Sequence, residues 1–357
     1  MARYEETLQS IKPADSAFYK AALAKWDTIA KPLGSLGLLE EAVTRICAMR
    51  RELNCSVANK KVVSFCADNG VVAEGVTQTD ASVTAIVARN FCTHDTSVCK
   101  MADIAGAEIV PVDMGMLTYV DHPKMRVVHL NDGTNDMLHG PAMTRDCAVA
   151  GIEAGIDIAC ELADAGCDLF ATGEMGIGNT TTSSAVASVL MDAPVEQMTG
   201  PGAGLSREGV LHKIEVIKGA IELNKPNPSD PLDVLAKLGG FDMCGMVGLY
   251  LGSALKQRPC LIDGFISAVS ALVAVRIKPE VLDYLIAAHV SAEPAGTSVL
   301  DAIGLKPMIT AGMRLGEGTG AVAAMPLIDM GFAVFNEMST FDDINIDAYE
   351  HFDEEQE

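Results

Sequence analysis

Positive charge is what this chain most conspicuously lacks. Its 26 lysines and arginines stand against 48 acidic residues, a formal net charge of -22 over 357 residues. So acidic a surface excludes a nucleic-acid partner, because backbone phosphates need a basic face. Any phosphate must be held locally. Aromatic residues are also scarce, with one Trp, six Tyr and ten Phe, so the core is expected to consist of Ala, Val, Ile, Leu and Met. No uninterrupted apolar run reaches about 18 residues, and the N-terminal MARYEETLQSIKPAD has no apolar stretch suited to export. These absences predict a soluble, cytoplasmic chain with no membrane partner. The ten cysteines include no CxxC pair and no compact disulfide-like spacing, and they read as reduced, mostly buried thiols. A GxGxxG fingerprint after the first predicted strand is missing, which argues against a dinucleotide-dependent oxidoreductase. No Gly-Lys-Ser/Thr follows any glycine turn either, which excludes a triphosphate P-loop.

What remains is a globular composition, 49% hydrophobic and 21% charged, on a chain long enough for a large α/β domain and a smaller lobe. From residue 60 to 330 short apolar runs alternate with helical patterns. The strands expected are 62–67, 107–112, one ending at Glu174, 259–263 and 284–290. This alternation predicts a doubly wound, mainly parallel Rossmann-like sheet over 60–330. Residues 1–59 and 331–357 are expected to form a small helical lobe, with a last helix near 332–341 and a disordered acidic tail. The helix over 144–165 has a face of small residues (Ala148, Gly151, Gly155, Ala159) that predicts close packing on the sheet.

In such sheets ligands bind beyond the carboxyl ends of the strands. The polar residues expected there are Asp68, Glu174, Asp263, Ser291 and Glu317. Asp68 either closes its strand as an Asx-turn or faces the crevice. Glu317, between two glycines before a helix, is either a helix-capping residue or a base presented to a ligand. His122, His129 and His139 match no zinc spacing and read as solvated loop histidines, while His289 has the apolar neighbourhood of a core histidine.

The most informative stretch is 168–185, DLFATGEMGIGNTTTSSA. An apolar strand ends in Glu174, passes through Gly176, Ile177 and Gly178, and enters a helix at Asn179 and Thr180. Small turn residues let backbone amides approach an anion, and the helix dipole favours negative charge there. A second glycine loop, 198–205, brings Gly202, Ala203 and Gly204 before the helix 206–224. Lys213, two turns into that helix, could add a charge to a phosphate, although a lysine so placed is more often solvated.

KPLGSLG at 31–37, ADNGVVAEGV at 67–76, TGEMGIGNTTTSSA at 172–185, TGPGAGL at 199–205 and RLGEGTGA at 314–321 form a distinctive ordered set. In this set the chain resembles the nicotinate-nucleotide:dimethylbenzimidazole phosphoribosyltransferases of cobamide biosynthesis, over nearly its whole length. The resemblance implies transfer of 5-phosphoribose from nicotinate mononucleotide to an aromatic base, with inversion to an α-ribotide, and Glu317 as general base. It also implies no metal and no cofactor, and a dimer whose partner is either identical or a second kind of chain. The pyridinium leaving group needs no protonating acid, so one base suffices. Glu174 is expected to hold ribose hydroxyls, with Asp263 and Ser291 beside it. The acceptor pocket is expected near Gln78, Thr79, Val87 and Leu315. Aligned on VTAI, a serine expected of the family falls at Thr79 and a glutamine at Val87. The loss of that amide leaves substituted benzimidazoles, purines and phenols as alternative acceptors.

Overall fold

Strand β1 (Lys60–Ala67) is apolar along nearly its whole length, KKVVSFCA, and almost every residue is buried. A strand of that kind has to be covered on both faces. The structure, a computed structural model, describes residues 2–351, and β1 lies inside its sheet, paired in parallel with β2 (Ala107–Gly115) on one side and β4 (Leu169–Met175) on the other. The short strands β3 (Arg126–Val127), β5 (Cys260–Ile262) and β6 (Leu285–Ala287) complete six strands in the order β3-β2-β1-β4-β5-β6, all paired in parallel. The order reverses between β1 and β4. There the loops that follow the two strands turn opposite ways and leave a crevice.

Alternate residues of β1 face opposite layers. Phe65 meets Gly245 in the helix Phe241–Leu255, and Val62 meets Gly318 at the start of the helix Thr319–Glu337. The small face expected to lie on the sheet instead joins two helices. An added methyl at Gly155 would come within 2.2 Å of Gly245 O, and one at Gly252 within 2.5 Å of the Ala159 methyl. The helix Arg145–Asp164 therefore crosses Phe241–Leu255 at near backbone contact, and it is Phe241–Leu255 that contacts the strands. Gly248 is the tightest point of that crossing, 2.1 Å from Ile152 O on the same test. Because backbone lies on both sides, Gly248→Ala is expected to lower stability by about 1–3 kcal/mol or more, measured as a fall in Tm and urea midpoint.

Some elements differ from the sequence expectation. The strand expected at 284–290 shrinks to three residues, because Pro279–Tyr284 winds into a 3-10 turn before it and the chain beyond Ala287 bridges to Ile309 instead. The final helix is one element, Thr319–Glu337, running through Pro326 and Gly331 rather than two pieces. Gly331 keeps it close to Leu39 and Val43 of the helix Leu38–Arg50. Thr319–Glu337 is, among the described residues, the one helix long and apolar enough to cross a membrane, yet 56% of its apolar window is buried inside the fold, and its Asp329 pairs with Lys60 at 2.7 Å. Part of the tail expected to be disordered is placed: Phe341 is buried and meets Tyr349 edge-on, ring centroids 5.5 Å apart. Residues 352–357 lie outside the described residues. All ten cysteines are free thiols, and only Cys147 is not buried.

Candidate active site

A cleft of about 280 Å³ opens at the carboxyl ends of β1, β4, β5 and β6. Every site residue expected from the sequence lines it except Gly204 and Asp68.

Its floor is the end of β4. Glu174 is buried, and its Oε2 accepts from the Asn179 side-chain amide. The same Nδ2 also donates to Asp242 Oδ2 at 3.0 Å, and the Glu317 amide faces Glu174 Oε1 at 3.4 Å. Burial, then the Asp242 charge, pushes the Glu174 carboxyl up to about 8. Burial likewise raises Asp242 to about 6. Two glycines make this approach possible. A methyl at Gly316 would sit 2.3 Å from Glu174 Oε1, and one at Gly173 would sit 2.4 Å from Glu317 O.

Glu317 itself has φ 64 between two left-handed glycines, Gly316 and Gly318. A left-handed Glu is uncommon and persists where surroundings fix it. Here Asp263 does so. At the end of β5 its Oδ2 accepts from Gly318 N at 3.2 Å and its Oδ1 from Ala321 N at 2.9 Å, capping the helix Thr319–Glu337, which has no capping side chain of its own. The Glu317 carboxylate is half-buried, and its Oε2 is 3.4 Å from Val98 N, in the first turn of the helix Ser97–Ala105. Burial raises its pKa, the Val98 amide opposes that, and Asp263 adds to it. The helix cap at 318–321 thus belongs to Asp263. Glu317 is left as a carboxylate turned to the cleft, able to accept a proton.

The opposite wall presents free backbone donors over a buried lysine. The helix Asn179–Leu190 begins after Gly178 (φ 90) with no side-chain cap. The Asn179 N–H is engaged by Gly176 O at 3.0 Å and the Ile177 N–H by Thr84 Oγ1 at 3.2 Å, whereas the amides of Gly178 and Thr180 have no acceptor among the described residues. Gly202 (φ 53) packs against Thr180, which draws the second glycine loop onto the first. Lys213 lies beneath both. It is 1% exposed rather than solvated, and its Nζ donates to Thr180 Oγ1 at 2.7 Å and Gly200 O at 3.4 Å. Burial lowers it to about 8, against the pull of Glu293. Ser291 ends the wall, its Oγ accepting from Glu293 N at 3.3 Å.

At the mouth, Gln78 and Thr79 are exposed, Val87 is half-buried and Leu315 is 57% exposed. The Gln78 amide bonds to Gly204 O, tying the 77–80 loop to the second glycine loop. Asp68 takes neither of its two expected places. It is buried outside the cleft, its Oδ2 accepting from Leu117 N at 2.8 Å, so it fastens the loop after β2.

The sequence profile of a phosphoribosyltransferase family matches residues 11–346. A nicotinate-nucleotide–dimethylbenzimidazole phosphoribosyltransferase of Ruminiclostridium cellulolyticum is 48% identical over 346 residues, 97% of this chain and 98% of that one. One from Clostridium acetobutylicum is 45% identical over 345 residues, with the same coverage. The chain belongs to this phosphoribosyltransferase family. The crystal structure of CobT from Thermus thermophilus superposes with a TM-score of 0.89 at 33% identity, covering 93% of this chain and 99% of that one.

Sequence reasoning missed Glu293 and Arg314 in this phosphoribosyltransferase cleft and Asp242 behind it. Glu293, in the loop after β6, is buried, which raises its carboxyl, while Lys213, Arg314 and the Gly202 amide oppose that rise. Arg314 opens the motif that contains Glu317 and lines the cleft as a cation. Asp242 lies behind Glu174. The signal for Glu293 and Arg314 was their position in strand-end motifs, whereas nothing local marks Asp242. Among the loop histidines, His139 stands with Glu74 and Asp136, their ligand-type atoms within 4.8 Å of one another. His129 lies between Asp113 and Asp132. His289 is buried, its Nδ1 hydrogen-bonded to Val290 O at 3.1 Å.

Proposed function

We propose that this chain transfers 5-phosphoribose from nicotinate mononucleotide to an aromatic base of the 5,6-dimethylbenzimidazole class, releasing nicotinate and forming an α-ribotide for cobamide assembly. The observation behind this reading is that one cleft holds an anion nest over a buried lysine at one end and a half-buried, base-competent glutamate at the other. The donor phosphate sits on the amides of Gly178 and Thr180 with the loop Gly202, Ala203 and Gly204 opposite, and Lys213 below. Ribose hydroxyls meet Glu174, Ser291 and the edge of Asp263. The pyridinium departs as neutral-ring nicotinate, without a proton. One ring nitrogen of the acceptor attacks C1′ from the opposite face while Glu317 takes the proton from its other nitrogen. Attack from that face converts the β-linkage to α.

The acceptor ring rests between the 77–80 loop, Val87 and Leu315. An apolar wall discriminates weakly, since a methylene is worth about 1–3 kcal/mol, whereas a dedicated hydrogen bond rejects analogues by roughly 10⁴. Several aromatic acceptors are therefore expected to compete within a few hundredfold, dimethylbenzimidazole among them. The test is a competition assay with nicotinate mononucleotide and a mixture of benzimidazoles, adenine and simple phenols. One accepted ring with all others undetectable would contradict the apolar-wall reading, and no transfer to any would contradict the function. The enzyme works as a cytoplasmic dimer in this reading, and light scattering of the purified chain reports whether that dimer forms without a second kind of subunit.

A further inference from the structure

The carboxamide of Asn179 donates both of its hydrogens to carboxylates, one to Glu174 Oε2 on the cleft floor and one to Asp242 Oδ2 behind it. Asp242 is fully buried in the first turn of the helix Phe241–Leu255 and does not line the cleft. Its other oxygen is taken by its neighbour's amide, Met243 N, at 2.9 Å. Two buried carboxylates thus share one neutral donor, with no cation among the described residues hydrogen-bonded or ion-paired to either. The groups around them add negative charge. Asp68 lies on the β1 side of Asp242 and Asp263 on the β5 side of Glu174, while Glu317 opposes them with only its backbone amide, 3.4 Å from Glu174 Oε1. His289 approaches Asp263 at 3.7 Å rather than the pair, and Lys213 is committed to Thr180 and Gly200 on the other wall.

We propose that Asp242 is a positioning residue for the donor half of the site: held beside Glu174 by the shared Asn179 amide, its charge keeps Glu174 protonated in the empty cleft, and an arriving pyridinium ribose displaces that proton to solvent. The inference rests on the donor assignment above. Two buried carboxylates that share one neutral donor resist ionising together near neutral pH, and the positive ring nitrogen on C1′, next to the ribose hydroxyls that Glu174 holds, shifts the balance in favour of the carboxylate. Binding then converts a neutral floor into an anionic one facing the carbon that becomes cationic as nicotinate leaves. The upward displacement of Glu174 to about 8, with Asp242 its second-largest cause after burial, agrees with the geometry.

The test is calorimetry of nicotinate mononucleotide binding at pH 7 in buffers of different ionisation enthalpy, with affinity checked by equilibrium dialysis. The wild type should release most of one proton per donor at pH 7, and the net release should fade as pH rises through about 8, where Glu174 is already ionised and Lys213 takes up a proton with the phosphate. Glu174→Gln should abolish it. Asp242→Asn should move the fading of the release to lower pH, because the opposing charge is gone while burial remains. Asp242→Ser, a good first-turn residue, serves if the asparagine variant does not fold. Binding without proton release in the wild type, or release unchanged in a folded Asp242 variant, overturns the inference. Absence of binding by dialysis overturns the donor assignment itself, so the two failures are distinguishable.

Discussion

Glu317→Gln is expected to lower kcat by roughly 10²–10⁴-fold while leaving the fold and the affinity for nicotinate mononucleotide unchanged. The amide keeps the size of the side chain but accepts no proton, so only the step in which the acceptor loses its proton suffers. The surrounding contacts make the substitution mild for stability. Asp263, not Glu317, caps the helix Thr319–Glu337 through Gly318 and Ala321, and the Glu317 carboxylate has a single long contact, to Val98 N at 3.4 Å. Donor KM and Tm are measured beside kcat. A variant within threefold of wild-type turnover would remove Glu317 from the role of base, and a collapse of Tm would mean that its left-handed backbone depends on the side chain.

Lys213→Met is expected to act on the donor instead, raising its KM and Kd by roughly 10- to 150-fold, the worth of one charge-assisted hydrogen bond. Stability should hold or fall, because the exchange relieves a buried ammonium bonded to Thr180 Oγ1 and Gly200 O but leaves buried Glu293 with Arg314 as its remaining nearby cation. The pH dependence has a definite sign. Burial depresses Lys213 to about 8, and a phosphate binds the protonated form. Donor affinity in the wild type should therefore fall as pH rises through about 8, and Lys213→Met should lack that fall. A variant that keeps the alkaline decline would place its origin elsewhere.

Much of the sheet was legible in the sequence because its central strands are continuous apolar runs. VVSFCA in β1 and DLFATGE around β4 can hardly be anything else in a chain of alternating helical patterns. One edge was not legible: β3 has two residues, too few for periodicity to mark, whereas β6 was expected within 284–290 and only its length was overestimated. The small-residue helix 145–164 showed that something packs closely, but sequence spacing could not say that the partner was the helix Phe241–Leu255. The site divides along the same line. Glu174, Glu317 and the two glycine loops are contiguous motifs. Asp242 and the burial of Lys213 are products of tertiary packing, and the interplay of Asp263 with Gly318 joins residues 55 apart in sequence. Asn179 was expected to offer its backbone amide to the phosphate, but the turn at Gly176 uses that amide.

The most direct measurement is the anomeric configuration of the product. The purified chain, incubated with nicotinate mononucleotide and 5,6-dimethylbenzimidazole, should yield nicotinate and a ribotide in equal amounts, and the coupling and nuclear Overhauser pattern at H1′ should show the α-anomer alone. A β-linked product, or nicotinate released without a ribotide, would contradict an acceptor activated by Glu317 on the face of C1′ opposite the leaving ring.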